Sequence, residues 1–546
     1  MEQLKKVSTR KQSKSKQEAK AIELAEKHNF YSIKLNSQGE FMGITIKKAR
    51  IVDKLLELGF FRFDINIESC RYIRIINNQV EEINEENIVD GFFDFVKKLE
   101  AMNYTYEDRK DFSITITSET IRFELMEKLN DHFSKKLINR LRPDFDIDIL
   151  EDTKDQKYLF FRNGYVLIDR DGYKLLPYKK LDKFIWKNKI MDRDFIENTD
   201  KGDFEMFFYH ICGHTGSGDP LMETEKRIFS LRTITGYLLH GYFERKLKAV
   251  ILTDSRISDD DEPNGRTGKT LYGKSLGKIL NNKNESKVFV EINGKNFDTR
   301  DKYKFSKCNL ETQLISMNDV RYKTRIDDYT NDITEEITVD KKNEKPFPIH
   351  AKVIISTNRT IKIEGTSNID RIIQFEFADY YDDNRSPDKE FGRWFFSTDW
   401  GAEQWNKFDT FLIGCCQEYF RHGIVESEQI NLYRRILLDH TPHEFVDFMD
   451  DWIINGNIDL PDEADGQRIL GSLEFKTGEK INKREIYKAF THSYPTDFNI
   501  RNFKQRQLTQ WIRAYCKYNN GFMSISKSNY TEGRSHGVDW IIFKKN

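Results

Sequence analysis

The feature that most constrains this chain is one passage near its middle, where the apolar run KAVILT (248–253) is followed shortly by NGRTGKTLYGKSLGKIL. A short unbroken run of apolar and β-branched residues predicts a strand buried on both faces, and the three- and four-residue apolar spacing after GKT predicts a helix. A strand, a Gly-containing turn and a helix start suit a phosphate. Without a Cβ at Gly265 and Gly268, backbone N–H groups can approach phosphate oxygens, and the helix start favours negative charge. Lys269 can reach the β and γ phosphates and Thr270 can bind Mg²⁺, while Asn264, Arg266 and Thr267 complete the loop. The pattern GxxxxGK[ST] is met imperfectly, because Pro263 stands at the first Gly and the acidic stretch Ser258 to Glu262 separates strand from loop. A GKT alone is often just an exposed turn, so the assignment needs companions.

The companions come in order. Fifty residues after Lys269, QLISMNDV ends a short apolar strand on Asn318 and Asp319, where an ATPase of this kind carries its second acidic motif. AKVIISTN then ends another strand on Ser356, Thr357 and Asn358, and Arg371 precedes the alternating run IIQFEF. Taken singly, each is an ordinary strand end, since Asn and Asp terminate strands as turn formers. Together they give a phosphate loop, an acid, a polar sensor and an arginine within about a hundred residues.

That order resembles superfamily 3 helicases, and more narrowly the primase-helicases of bacteriophages and poxvirus-like elements, through PNGRTGKTL, LISMNDV, VIISTNRTI and IDRIIQFEF, over about residues 248 to 380. The resemblance implies an α/β P-loop core of AAA+-like type. It implies an ATP-dependent replicative DNA helicase of a virus, phage or mobile element that translocates on single-stranded DNA as a homo-hexameric ring. ATP and Mg²⁺ are the implied cofactors, and a separate primase or polymerase the implied partner. Lys269, Asp319, Asn358 and Arg371 take the catalytic roles, Arg371 acting on the neighbouring subunit's nucleotide, and Thr270, Asn318 and Asp319 form the metal set. Family members carry a DNA-gripping β-hairpin between the acidic and sensor strands. Here ITEEITVDKKNEKPFPIH offers Lys341, Lys342 and Lys345 for it. One departure bears on mechanism: the family's first acid is Asn318, which is neutral and can only hydrogen-bond.

Length and patterning place this motor in a larger chain. At 546 residues several domains are expected. We read a basic arm over 1–24, an α+β domain over 25–150, a collar with helices over 151–245, the ATPase domain over 246–385, a helical extension over 386–465 and a winged-helix-like DNA-binding domain over 466–546. The arm has seven Lys/Arg and two Asp/Glu in its first 20 residues. The 88 Lys/Arg nearly balance 89 Asp/Glu, so nucleic-acid binding has to rest on local patches. Residues 471 to 546 are such a patch, with fourteen Lys/Arg, six Asp/Glu and interleaved Phe503, Trp511, Tyr515 and Tyr518, although aromatics at helical spacing are more often core. The absence of a long apolar run predicts no membrane partner and a cytoplasmic protein, in the host cell if viral.

Other motifs are weaker. HICGH (210–214) lacks a second ligand pair, so a structural role is expected for His210, Cys212 and His214. Asp144, Asp146 and Asp148 alternate as on a strand and suggest the acids of a primase, but without a supporting context. Two further functions share the phosphate loop: a non-replicative ATPase switch in defence or signalling, and an inactive DNA-binding scaffold that Asn318 would permit. Removing Lys269 is expected to abolish turnover and leave the fold intact.

Overall fold

The computed structural model describes residues 30–66, 69–105, 113–216, 219–243, 247–255, 266–280, 287–320, 336–357, 371–438, 440–461, 469–498, 502–518 and 530–544. The expected basic arm lies outside them. The N-terminal unit is α+β, with Tyr31–Leu35 paired to Phe41–Ile46 and an antiparallel run of Phe60–Asp64, Cys70–Ile76 and Gln79–Ile83. Its helix Glu85–Lys97 starts where Asn84 and Asn87 each accept the other's backbone N–H, and it buries Ile88, Phe92 and Val96, four residues apart on one face. Gly91 lets that face close, because a Cβ there would lie 2.3 Å from the Phe60 ring. Asp144, Asp146 and Asp148 fall on an exposed stretch that is not a strand.

A small meander follows, Lys157–Phe161, Gly164–Ile168 and Tyr173–Leu176, turning near Asn163–Gly164 and Asp171–Gly172. Next come two helices, α1 (Asp203–Ile211) and α2 (Met222–Leu239).

Among the described residues the central sheet has five parallel strands: β1 (Ala249–Asp254), β2 (Phe289–Asn293), β3 (Leu314–Asn318), β4 (Lys352–Ser356) and β5 (Ile372–Phe377). Their spatial order is β2–β3–β4–β1–β5. Both faces are covered, which is why the strands read as continuous apolar runs. Val250 and Leu252 point into one core with α1 and α2, whereas Ala249 and Ile251 point into the other. Helix α3 (Lys269–Leu280) joins β1 to β2 and packs closely through two glycines one turn apart. A Cβ at Gly277 would sit 2.6 Å from the Phe289 ring, and one at Gly273 would reach 3.4 Å from the Ser316 hydroxyl.

The core on the α3 side is shared by residues from Leu159 to Cys416, so the meander, the motor strands and helix α4 (Gly401–His422) bury one apolar mass. Polar cross-links pin it. Arg193 forms a two-pronged pair with Asp409 of α4 (2.7 and 2.6 Å) and donates to the Lys278 carbonyl of α3. Arg227 of α2 binds the Cys212, Glu376 and Glu428 carbonyls.

The C-terminal unit has its own core. Its order is a short strand (Ile481–Asn482), helices Lys483–Ser493 and Gln505–Tyr518, and strands Tyr530–Ser535 and Val538–Phe543. Phe503 and Tyr515 are buried in that core and Trp511 packs against it, so these aromatics are structural. All six cysteines are unpaired, and among the described residues no helix is long and apolar enough to cross a membrane.

Arg193→Met leaves the Asp409 carboxylate buried and unpaired, so unfolding free energy should fall by about 3–5 kcal/mol in urea titration. Adding Asp409→Leu should recover most of that loss. Failure of the double variant to recover would show that the arginine acts through packing rather than charge.

Candidate functional site

Parallel strands bring all their C-terminal ends to one side of the sheet, and Lys269, Thr270, Asn318, Asp319 and Ser356 of the predicted polar residues lie at that side. Asp254 closes β1, Asn318 closes β3 and Ser356 closes β4. Lys269 and Thr270 begin α3 at the same end, with Lys269 buried and Thr270 exposed. Among the loop residues, Asn264 and Gly265 lie outside the described residues, as does Asn358 beyond β4.

The described part of the loop is conformationally unusual. Arg266 has φ +86° and Gly268 φ +99°, and a Cβ on Gly268 would lie 2.8 Å from the Phe207 ring of α1. Phe207 and Ile211 thus support the loop from below, a role the sequence did not show. Arg266 is exposed and paired with Asp383. The Thr267 hydroxyl and the Lys269 ammonium both bind Oδ1 of Asp254, a residue not singled out in the sequence.

This pairing corrects one expectation. Lys269 is 8% exposed and Asp254 3%, so removing the lysine strands a buried carboxylate and cannot leave the fold untouched. The signal was present as TDS, a polar end to a wholly apolar strand, but burial and partner depend on the rest of the fold.

At the acidic strand, Asn318 is held in a network. Its Oδ1 accepts from Ser316 (3.1 Å) and Ser356 (3.3 Å), and its amide donates to Glu291 on β2 (3.2 Å). Glu291 is a second acid that the sequence reading missed. Asp319 follows with φ +57°, exposed, with Lys295 at 3.7 Å. A cleft of about 1140 Å³ runs along the exposed flank of α3, lined by Thr270, Lys274, Lys278, Lys287, Glu291 and Trp394 among others.

Arg371 is elsewhere. It immediately precedes β5, and its carbonyl accepts the Ala249 N–H at the start of β1. The six residues of β1 at ~3.3 Å each put it about 17 Å from that strand's loop end.

The hairpin is formed by Ile337–Val339 and Phe347–Ile349, with Lys341, Lys342 and Lys345 in its turn. Lys342 and Lys345 are exposed, but Lys341 is half-buried and donates to Asn309. The turn rests on the N-terminal unit. Arg71 donates to the Lys345 carbonyl (3.2 Å), pairs with Glu344 (3.3 Å) and lies 3.9 Å over the Phe347 ring. Burial raises the Glu82 carboxyl above its usual range, against the pull of the Leu310 N–H, Lys341 and Arg71.

The HICGH segment is packed rather than ligating. His210 stacks on Tyr380 at 4.1 Å and bonds to the His214 carbonyl, and burial raises the Cys212 thiol and lowers His214. Among the described residues no group of His, Cys, Asp and Glu is arranged to hold a metal ion.

No family model matches the chain, and no curated protein matches it. Among solved structures it is similar to an apo form of the C-terminal region of NrS-1, at 12% identity over 90% of this chain and 98% of that one, with a TM-score of 0.40. Another apo structure of that region gives 14% identity, 91% and 99% coverage and a TM-score of 0.38.

Gly268→Ala should lower unfolding free energy by about 1–3 kcal/mol, through both positive φ and the Phe207 clash. Gly273→Ala, which has 3.4 Å of clearance and a helical backbone, should be close to neutral or stabilising. Equal urea midpoints for the two variants would remove the special conformation of the loop.

Proposed function

We propose that the chain is the ATP-driven motor of a DNA-replication helicase of a virus, phage or mobile element, working as a ring on single-stranded DNA. The observation that carries this reading is the strand order β2–β3–β4–β1–β5, which sets a polar strand end between the phosphate-loop strand and the acidic strand. An attacking water and a γ-phosphate would then meet groups from three strands at once. In this reading the core is a P-loop ATPase of AAA+-like type. Lys269 and the N–H groups at the start of α3 bind phosphate, Asp319 orients or deprotonates the water, and Asn358 senses the γ-phosphate.

Hard oxygen donors suit Mg²⁺, and Thr270 and Asp319 supply a hydroxyl and a carboxylate of that kind. A Mg²⁺ held by these two side chains would supply positive charge against the negative charge of a triphosphate. Asn318 contributes through its hydrogen bonds to Ser316, Ser356 and Glu291, which fix the end of β3 beside Asp319.

The position of Arg371 supports the ring. At about 17 Å from its own loop end it is too distant to serve its own nucleotide, and a neighbouring copy's nucleotide is the alternative. A homo-hexamer fits that requirement. DNA contacts fall to the hairpin lysines and to the C-terminal unit, whose strand–helix–helix–strand–strand order supports a winged-helix reading. Helix Gln505–Tyr518 exposes Arg506, Gln510, Arg513 and Lys517 along one side, with Arg513 paired to Glu532. A separate primase or polymerase would supply the synthesis that a motor lacks.

One observation favours a second reading, a non-replicative ATPase switch: the hairpin turn is held by Arg71 rather than projecting freely. The deciding measurement is ATP turnover with and without single-stranded DNA, together with mass in solution. Stimulation by DNA in a ring-sized species supports the motor, and DNA-independent turnover supports the switch.

Arg371→Ala should reduce hydrolysis by ~10³ to 10⁵ with every phosphate loop intact. Because Lys269 also neutralises Asp254, the hydrolysis-dead partner for mixing is Asp319→Asn. Mixed Arg371→Ala and Asp319→Asn subunits, with exchange demonstrated, should regain turnover at junctions that join an intact finger to an intact acid. No recovery would place the arginine's action within one chain. Lys342→Ala with Lys345→Ala should weaken DNA binding and flatten its salt dependence by about 0.7 per lost single-strand contact. An unchanged slope would return the hairpin to a surface role.

A further inference from the structure

Asp254 is a buried carboxylate to which the proposed chemistry gives no task. Its Oδ1 takes the Lys269 ammonium and the Thr267 hydroxyl together, and its Oδ2 is buried without a hydrogen-bond partner among the described residues. Lys269 Nζ also lies 3.3 Å from Thr267 Oγ1, so acid, hydroxyl and ammonium close on one another at the mouth of the loop. The lysine that a triphosphate would need is already engaged.

A carboxylate and a phosphate are the same kind of acceptor for an ammonium, and each forms its strongest bond when charged. One Nζ can serve either at full strength. When Lys269 turns to phosphate, Asp254 keeps Thr267 alone among its described partners, in a site where its other oxygen is already unsatisfied. Leaving a buried charge unpaired is costly, and that cost opposes phosphate binding.

We infer that Asp254 is a latch on the phosphate loop: it holds Lys269 in the nucleotide-free protein and sets the threshold at which a nucleoside triphosphate can take the lysine. The inference rests on the reading of this loop as a nucleotide site. Apparent affinity is then the intrinsic affinity scaled by the fraction of molecules in which Lys269 is free. Asp254 is a positioning residue in this scheme, acting through Lys269. Asp254→Asn keeps the shape and the hydrogen bond with Thr267 and removes the charge that competes with phosphate.

Two measurements on the full chain test it. In the absence of nucleotide, urea unfolding of Asp254→Asn, Lys269→Met and the double variant should show strong coupling, the double variant losing less than the singles combined. Additive losses would overturn the latch whatever the protein binds. With Mg²⁺ and a fluorescent ATP analogue, Asp254→Asn should bind about tenfold tighter than the wild type or better. Unchanged or weaker binding by that variant overturns the latch and leaves the nucleotide site standing. Coupling without analogue binding by either protein overturns the nucleotide reading of the loop, and the latch with it, leaving an ion pair that only stabilises the fold.

Discussion

Everything at the candidate site depends on a parallel sheet that has apolar cover on both faces. Such a sheet aligns the strands' C-terminal ends, so each chain segment leaving a strand starts from the same rim. The covering layers are what make this possible. On one side the helices α2, α3 and α4 and the meander strands contribute, and on the other the hairpin and the segment around Phe305 and Cys308. Without both layers, runs such as AVILT and KVIIS would face water.

The arginine cross-links show how segments far apart in sequence are fixed onto that sheet. Arg193 joins the segment before α1 to α4 and to the end of α3, and Arg227 collects three carbonyls from separate segments. A guanidinium suits this work, because its fixed fork of donors satisfies several buried acceptors at once. The loop's support has a similar origin: Phe207 and Ile211 come from α1, some sixty residues earlier, and decide that only glycine fits at 268.

Local chemistry was the part legible in the sequence. The apolar run KAVILT and the three- and four-residue spacing after GKT located a strand and a helix, because strand and helix periods are written residue by residue. The same holds for the strands ending on Asn318 and Ser356. What escaped notice depends on tertiary neighbours. Asp254 follows the predicted run KAVILT without standing out, and its role appears only where Lys269 folds against it, as that of Glu291 does through Asn318. The alternating acids near Asp146 have strand spacing, yet that stretch forms no strand. Phe503 and Tyr515 could have faced bases, and their burial against Phe445 and Phe490 is a matter of packing that composition cannot foresee.

The docked hairpin turn has a mechanical consequence. Arg71 grips the turn at three points, a carbonyl, a carboxylate and an aromatic face, and it belongs to the central strand of an N-terminal sheet that also receives Ile185–Trp186 from the meander segment. A displacement of the hairpin therefore has two outcomes. If the grip holds, the N-terminal unit moves with the hairpin. If it slips, Arg71 and the Glu82 carboxylate 3.7 Å from it are exposed to water together, and that re-wetting opposes the movement.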